Sequence, residues 1–431
     1  MISQKKHTRK GRKRRLYMAE KTRVKRIFRI VLLALAGSFI YAMYSGIRNN
    51  FGIMLGSIVE SSGLSFASVS FILAVGQLVF GLVQPLFGAL AAKKGTTPAF
   101  ISGVVLAVTG MVLTPLCRSI FPLMLCLGVL VPAGCGAISY GLIMGTLTPK
   151  LPAKAVSGVS GIVNASSGIG NTVLSPVITA LLSAGGLARG MLVMAVPVVL
   201  TLPASLWMGR KSGAPPPGRT PENPGARPFA PVGGGLRRAL TSTNYIFLMA
   251  GFFTCGFHMA LITNHLPTQI RTFGFSAEVT AYAFSVYGIV TMVGSIVSGS
   301  LCGRLRMKNI LGFYYALRPV TIALFLLVPK TLLTVFFFTA LFGFSGAATV
   351  PSVSGLISRA YGAANLATFY GLVFFVHQIG GFLGAWLGGI CLSVTGSYTG
   401  IWCASLVMST LAAVVSFAIR EDSPAAEVPA P

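Results

Sequence analysis

Long apolar runs separated by short polar stretches occupy the chain from residue 30 onward. Each run is long enough to cross a bilayer as an α-helix, which needs about 20 apolar residues. The pattern therefore predicts an all-α membrane protein whose apolar runs are transmembrane helices. We number twelve of them, spans 1 to 12, at residues 30–56, 67–91, 98–118, 121–147, 155–183, 190–208, 244–269, 279–303, 309–329, 332–357, 367–392 and 399–419.

A stretch rich in Pro and Gly divides the spans into two sets of six. This stretch, residues 209–243, carries scattered Arg and too few apolar side chains to form a core. We expect it to be a cytoplasmic linker between an N-terminal six-helix bundle (residues 30–208) and a C-terminal one (residues 244–420), with short tails at residues 1–29 and 421–431.

The two halves also repeat one another at an offset of 210 positions. Arg48 in span 1 corresponds to His258 in span 7, and residues 161–170 of span 5 correspond to residues 371–380 of span 11. Parallel repeats of this kind occur in many membrane carriers. The repeat predicts two pseudo-symmetric bundles.

Composition agrees with a membrane protein, because 54% of residues are hydrophobic, 10% are charged and the mean hydropathy is +0.79. Much of the net charge of +27 comes from residues 1–29. We expect this tail to be disordered and to anchor the topology of the protein in the membrane. As partners of the protein we expect membrane lipid and no nucleic acid. The alternative role of the tail is binding to anionic lipid or RNA. Met18 is an alternative start, which would leave residues 1–17 untranslated.

Basic residues are denser in alternate connections between the spans. The positive-inside rule then predicts a multi-pass protein of the cytoplasmic (inner) membrane with both termini in the cytoplasm. The connections on that side carry Lys93, Lys94, Lys150, Lys154, Arg304, Arg306, Lys308 and Arg359.

Cysteine usage predicts neither a disulfide framework nor a zinc site. The seven Cys lie in or at the ends of apolar runs, without a Cys-x-x-Cys pair. We expect no metal, no cofactor and a monomer.

Span 1 is too long for a signal-peptide core, so it should be retained.

Arg48 stands inside the apolar run of span 1. Its guanidinium stays protonated and costs about 2.5 to 3.5 kcal/mol at the centre of a membrane helix. We therefore interpret Arg48 as a functional site; the alternative is an Arg near the end of the span that reaches lipid phosphates.

The spans hold cationic or neutral ionisable candidates and no acidic one. The candidates are Arg48, His258, His377 and Arg318, with His265 at the end of span 7. A cation carrier, like many proton-driven exporters, needs a carboxylate in the membrane, so the pattern favours an anionic substrate. The acidic residues are Glu20, Glu60, Glu222, Glu278, Glu421, Asp422 and Glu427.

A carboxylate substrate can pair bidentately with Arg48. We expect His258 to face Arg48 from the pseudo-symmetric position, and His258 or His377 to carry a coupled proton, because histidine ordinarily titrates near neutral pH. The alternative for each imidazole is a neutral ring bonded to a helix carbonyl. We expect a proton or a counter-anion to accompany the substrate.

Several further side chains are candidates for the site or for its support. Tyr44, Asn49, Tyr140 and Asn264 are expected to contact substrate, with helix bridging as the alternative for polar residues such as Tyr140, Asn164, Asn171 and Gln378. Arg318 is expected to be structural, bonded to backbone carbonyls or tyrosine hydroxyls.

Glycine and proline patterns predict close packing and bends. Gly380, Gly384 and Gly388 allow a helix to approach span 11, and Gly161 and Gly168 suggest the same for span 5. Bends are expected near Pro132 in span 4 and Pro351 in span 10.

Four longer motifs resemble the monocarboxylate-carrier-like bacterial branch of the major facilitator superfamily. They are the stretches at residues 44–52, 256–267, 377–389 and 395–398. The resemblance implies two six-helix bundles, a central cavity, alternating access and a substrate carboxylate at Arg48. An Asp and Arg pair typical of helix eight is missing, because Thr291, Val293 and Ser295 occupy that region.

The connections after spans 2 and 8 resemble the loop that latches one state in that superfamily. Gly88 and Gly95 mark the first copy, and Gly299 and Arg304 the second. The acidic position of the motif holds Ala92 or Gly303, so the latch should be altered. The overall prediction is a transporter, not an enzyme, of small organic anions; the alternatives are an exporter of neutral amphipathic compounds and, less favoured, a sensor or enzyme on this scaffold.

Overall fold

The computed structural model describes residues 2–209, 240–361 and 366–421. This part of the chain is almost entirely helical and contains no β-strand. It holds eleven helical stretches that are long and apolar enough to cross a membrane. One stretch, Gly158–Gly209, has 52 residues and is interrupted at Gly185 and Gly186, so it forms both span 5 and span 6. The prediction of an all-α protein with twelve spans is confirmed.

The helices of the first six spans are these: Ile2–Asn49 and Phe51–Ser62 in span 1, Phe66–Lys94 in span 2, Thr96–Leu113 in span 3, Ile120–Leu123, Val131–Ala137 and Tyr140–Leu147 in span 4, and Ala153–Gly209 in spans 5 and 6. Spans 7 to 12 comprise Thr243–Thr272, Ala277–Cys302, Met307–Leu327, Leu332–Gly346 with Thr349–Tyr361, Leu366–Thr395 and Thr399–Ala418. We call the membrane side at which span 6 ends and span 7 begins the linker side, and the other the far side.

The basic tail is helical, and the expectation of disorder was wrong. The helix of span 1 begins at Ile2 and continues through the tail into the apolar run. Lys, Arg, Leu, Ala and Glu are good helix formers, and the membrane segment that follows supplies the nucleus from which the helix extends. Residues 210–239 of the linker and 422–431 of the C-terminal tail lie outside the described part of the chain.

Spans 4 and 10 are broken at equivalent places. Span 4 departs from helical geometry at Ile138, and span 10 is interrupted at residues 347–348, which is the offset of the repeat. Pro132 lies just after the π-helical segment Met124–Leu130 of span 4, and Pro351 lies in the first turn of helix Thr349–Tyr361, where a missing amide hydrogen costs little. The predicted bends are confirmed.

Glycines let helices touch backbone to backbone within each bundle. Gly46 of span 1 meets Gly170 of span 5, and the equivalent Gly256 of span 7 meets the His377 carbonyl of span 11. A Cβ at Gly380 would meet the carbonyl of Phe253 in span 7. The predicted close approach to span 11 is confirmed, and both bundles use the same pair of helices for it.

The two bundles meet in the halves of the spans that lie towards the far side. Gly168 of span 5 faces Gly288 of span 8, and Gly52 of span 1 packs against Thr263 of span 7. A Cβ at Gly389 of span 11 would meet Ser70 of span 2.

On the linker side the same helices leave space. Gly145, Gly161 and Gly371 have nothing within 4 Å of the position of a Cβ, and all three are exposed. The predicted crowding at Gly161 was therefore wrong, because span 5 meets its neighbour about two turns further on, at Gly168. Spans 5 and 11 therefore make their close glycine contacts towards the far side and not at Gly161 or Gly371.

Candidate functional site

Arg48 lies half-buried in the last turn of helix Ile2–Asn49, just before the break at Asn50. Its Nη2 donates to Oε1 of Gln77 in span 2 over 2.5 Å. Its guanidinium carbon lies 3.9 Å from the centroid of the Phe80 ring. The partial negative charge at a helix C-terminus and the face of an aromatic ring both favour a cation here. The guanidinium is thus held without a carboxylate among these contacts.

A chain of hydrogen bonds runs from Arg48 into the C-terminal bundle. Gln378 of span 11 donates from Nε2 to the backbone oxygen of Gln77 over 2.8 Å. The Oε1 atom of Gln378 lies 2.9 Å from Nδ1 of His377. Because an amide oxygen only accepts, this contact places the ring proton on Nδ1. Arg48 is therefore connected to His377 through two glutamines.

His377 lies between two aromatic rings at the interface of spans 7 and 11. Its imidazole stacks on Phe374 with centroids 5.5 Å apart and planes inclined by 7°, and lies 4.8 Å from the Phe252 ring. The Cys255 side chain of span 7 also contacts it. The ring is half-buried, so it is held in place and yet reachable.

Half-buried aromatic side chains surround this region towards the linker side. Tyr41 of span 1 and Tyr140 of span 4 have ring centroids 5.6 Å apart. Phe374 lies 6.5 Å from Phe80 and 6.3 Å from Tyr370. The guanidinium of Arg48 therefore stands beside a rim of rings contributed by both bundles.

A small cavity of about 10 Å³ adjoins Arg48. Gln77, Cys135 and Asn264 lie in its wall, and Asn264 comes from span 7 of the other bundle. Its volume suits a single water molecule. Arg48 and Asn264, both expected to contact substrate, thus lie at the same cavity, although the Nδ2 atom of Asn264 donates to the Ala260 carbonyl over 2.8 Å.

A larger cavity of about 620 Å³ lies on the far side. Both bundles contribute to it, with Ser57 and Glu60 from span 1 and Arg271 from span 7. Gly52 also lines this cavity, so the contact of Gly52 with Thr263 and Asn264 lies between it and the smaller cavity beside Arg48.

His258 does not face Arg48 in this structure, contrary to expectation. It is fully buried, its Nε2 lies 3.1 Å from the Ser405 carbonyl of span 12, and its ring packs 5.6 Å from that of Phe342 in span 10. The repeat equates the two backbone positions but not the side-chain lengths. The longer Arg48 side chain contacts Gln77 of span 2, whereas the shorter His258 side chain contacts span 12, each within its own bundle. Nδ1 of His258 has no hydrogen-bond partner among the described residues.

Three other predicted substrate contacts have different surroundings. Tyr44 is buried within the N-terminal bundle, towards Thr201 of span 6. Tyr140 bonds through its hydroxyl to Ser160 of span 5. Asn49 is half-buried beside Arg48 in sequence. Tyr140 thus bridges two helices while its ring lies at the rim.

Arg318 is completely buried in the C-terminal bundle. Its Nη2 donates to the carbonyls of Ser345 and Gly346 over 2.9 and 3.2 Å, and lies 3.4 Å from the Cys255 sulfur. These carbonyls end the first helix of span 10, where four carbonyls lack helical partners. Arg318 therefore caps the break in span 10.

The residues of the expected latch lie at the ends of spans 2 and 8. Gly88 has nothing within 4 Å of a Cβ, and Gly95 has φ of +87° as it ends helix Phe66–Lys94. A Cβ at Gly299 would lie 4.0 Å from a Pro351 side-chain atom, and Arg304 is exposed after span 8.

The site also contains residues that the sequence reading missed. Gln77 and Phe80 of span 2 hold Arg48, and Gln77 is an amide in the middle of an apolar run, which could have marked it. Asn50 donates to Asn171 over 3.0 Å and accepts from Ser175 over 2.7 Å, which ties the break in span 1 to span 5.

Comparisons with known proteins agree with this architecture. The family model described as Major Facilitator Superfamily matches residues 36–328 and 273–431. Monocarboxylate transporter 13 of Rattus norvegicus is 26% identical over 376 residues, which is 85% of this chain and 83% of that protein. Monocarboxylate transporter 11 of Mus musculus is 25% identical over 399 residues, covering 88% and 85%.

The fold is also similar to a solved structure. A crystal structure of a D-xylose-proton symporter superposes with a TM-score of 0.71 at 13% identity, covering 91% of this chain and 97% of that one. At this level of identity the likeness concerns the fold.

Proposed function

Since the chain belongs to the major facilitator superfamily and is a multi-pass membrane transporter rather than an enzyme, we propose that it carries a small organic anion, with a monocarboxylate as the favoured substrate. Transport would follow alternating access, with a proton or a counter-anion moving as well. The relatives named as monocarboxylate transporters support this substrate class.

The observation that carries the proposal is the set of partners around Arg48. Among the described residues its guanidinium has a neutral amide oxygen and a phenyl ring as partners, in a membrane segment. A cation in such surroundings gains from an anion, and a carboxylate accepts two parallel bonds from a guanidinium. Each charge-assisted bond contributes roughly 1.5 to 3 kcal/mol before desolvation.

The aromatic rim supports a substrate with an apolar body. Phe80 lies against the guanidinium, and Phe374 and Tyr370 of the other bundle continue the rim from it, with Tyr41 and Tyr140 as a further pair of rings. A carboxylate would bind Arg48 while the rest of the molecule lies against these rings. Asn264 and Gln77 are then the polar groups near its oxygens.

His377 is the better candidate for a coupled proton than His258. It is half-buried and connected to Arg48 through Gln77 and Gln378, whereas His258 is enclosed in the C-terminal bundle. Histidine ordinarily exchanges its proton near neutral pH. We therefore assign proton coupling to His377.

The positive-inside rule supports a cytoplasmic linker side, and hence an inner-membrane protein with both termini in the cytoplasm. With that orientation the bundles, in contact towards the far side, would form a state open to the cytoplasm. The protein would act as a monomer with its cavity between the two bundles.

The test is uptake of labelled lactate and pyruvate into proteoliposomes with and without an inward proton gradient. Arg48→Gln removes the charge, and we expect it to lower uptake at least tenfold. Arg189→Gln is the matched control, because Arg189 lies exposed and donates to the Ala184 carbonyl 3.0 Å away.

The outcomes separate the candidate functions. Gradient-stimulated uptake that is lost in Arg48→Gln and kept in Arg189→Gln supports the proposal. Full transport by Arg48→Gln contradicts it. Transport of neutral amphipathic compounds that ignores the charge at position 48 would favour an exporter of such compounds.

A further inference from the structure

Gln77 contacts the two halves of the site through different atoms. Its Oε1 accepts from Arg48, and its backbone oxygen accepts from Gln378. We infer that Gln77 and Gln378 are positioning residues that link occupancy of the anion site at Arg48 to the protonation of His377. This inference rests on the proposed function, because it takes Arg48 as the ligand of a carboxylate.

Gln77 accepts a hydrogen bond from the guanidinium that the proposed function assigns to the substrate. Its neutral oxygen lies 2.5 Å from Nη2 of Arg48, in the direction from which a carboxylate oxygen would bind. A carboxylate carries a full negative charge and can accept two parallel bonds from the guanidinium, so it can displace the neutral amide oxygen. Gln77 thus keeps the guanidinium of Arg48 hydrogen-bonded until the substrate carboxylate replaces it.

The bond between the bundles depends on a glycine. A Cβ at Gly81, one turn after Gln77, would meet the side chain of Gln378. The missing side chain lets Gln378 reach the backbone oxygen of Gln77 over 2.8 Å. A carbonyl has two lone pairs and can accept this bond in addition to its helical one. A movement of span 2 at Gln77 therefore changes the hydrogen bond that Gln378 donates.

Gln378 in turn sets the state of the His377 ring. Its Oε1 accepts from Nδ1, which leaves Nε2 as the atom that can take a proton. The charged or titratable groups near the ring are Cys255 of span 7, Arg318 beyond Cys255, Tyr370 on span 11 and Arg48 through the glutamines.

A carboxylate at Arg48 offsets the guanidinium charge that opposes a second positive charge on His377. The same event frees the Gln77 side chain and alters the contact with Gln378. Substrate binding and protonation of His377 would then favour one another, which is the condition for symport.

The first experiment uses Gln378→Leu in proteoliposomes, with uptake of labelled lactate measured across a range of external pH. We expect KM to stay within about twofold of wild type, because Arg48 is intact, while stimulation by the proton gradient falls at least fivefold. Gln269→Leu is the matched control, since it removes a buried glutamine whose Oε1 accepts from Trp402 over 2.7 Å. Normal stimulation in Gln378→Leu, or equal loss in Gln269→Leu, overturns the inference.

The second experiment does not depend on transport. The chain has four His, so ¹⁵N-histidine NMR of the full protein can assign His377 by its loss in His377→Asn. We expect wild type to show the Nδ1-protonated tautomer and Gln378→Leu to shift towards the Nε2-protonated one. Gln378→Glu keeps an oxygen acceptor, so it should retain the wild-type tautomer while losing the bond to Gln77.

The two readouts separate this inference from the proposed function. A wild-type protein that moves no carboxylate contradicts the proposed function, whereas the tautomer measurement still decides the hydrogen-bond chain. A His377 signal that is unchanged in folded Gln378→Leu overturns the chain.

Discussion

Gly52 of span 1 packs against the backbone carbonyl of Thr263 in span 7, with no room for a side chain between them. Pro267 lies four residues after Thr263 in the same helix. Because proline has no amide hydrogen, it cannot make the helical bond to that carbonyl. A proline in one bundle and a glycine in the other thus produce the contact that separates the far-side cavity from Arg48.

The contact predicts opposite results for two glycines of one helix. Gly52→Ala should lower the transport rate roughly tenfold, because its methyl group would meet the Thr263 carbonyl and push the bundles apart. Gly56→Ala, one turn later, has nothing within 4 Å. It should keep transport and raise stability, since alanine is about 1 kcal/mol better than glycine in a helix. Uptake rates and thermal unfolding check both; equal rates for the two variants would contradict the prediction.

Arg318 should matter for stability more than for substrate. Arg318→Gln leaves the Ser345 and Gly346 carbonyls without their charged donor, and we expect a loss of about 2 to 3 kcal/mol in the free energy of unfolding. Thermal unfolding in detergent measures the loss, and the KM for the transported anion should stay unchanged. Normal stability combined with a raised KM would assign Arg318 to the substrate site instead.

The buried amide at the break of span 1 is expected to be sensitive to apolar substitution. Asn50→Leu leaves Asn171 and Ser175 with lost partners, at a cost of about 1 to 3 kcal/mol. Asn49→Leu, at the neighbouring half-buried position, is the control. If the free energy of unfolding of Asn50→Leu equals that of Asn49→Leu, the hydrogen bonds of Asn50 to Asn171 and Ser175 contribute little to stability.

Glu421 joins three parts of the C-terminal bundle on the linker side. Its Oε1 lies 2.7 Å from Arg359 Nη1, and its Oε2 accepts from the amide of Lys308, at the start of span 9, over 3.0 Å. Glu421→Gln should cost roughly 1 kcal/mol, because a helix N-terminus favours a negative charge. Arg359→Gln should cost less, since that side chain is 49% exposed. Unfolding measured at low and high salt tests the order, and a larger loss in Arg359→Gln would reverse it.

Much of the fold follows from local patterns in the sequence. The apolar runs predict spans because the bilayer requires apolar helices of that length. The prolines at 132 and 351 lack an amide hydrogen, and the glycines of span 11 lack a side chain. These effects are the same wherever the fold places the residues. The offset of 210 positions predicted two pseudo-symmetric bundles, and the structure shows equivalent helix pairs and equivalent breaks at that offset.

The contacts that individual side chains make in the site could not be predicted from local patterns in the sequence. The repeat equates Arg48 with His258, but reach and direction decide that one contacts span 2 and the other span 12. The contacts of Gln77 depend on how span 11 sits against span 2, which no local pattern encodes. The helix in the tail was missed for another reason. The prediction gave the charge density of residues 1–29 more weight than the helix propensity of the same residues.

The glycine contacts between the bundles have a consequence for how readily the transporter changes state. At Gly52, Gly168 and Gly288 the bundles touch through backbone, so separating them at these three points disturbs little side-chain packing. The free-energy gap between the two arrangements can then be small. Moving a population from 1:99 to 99:1 takes about 5.5 kcal/mol of differential binding, which is within the range of a few charge-assisted bonds. Backbone contacts at these glycines thus leave a larger share of the choice between the two states to the ligand.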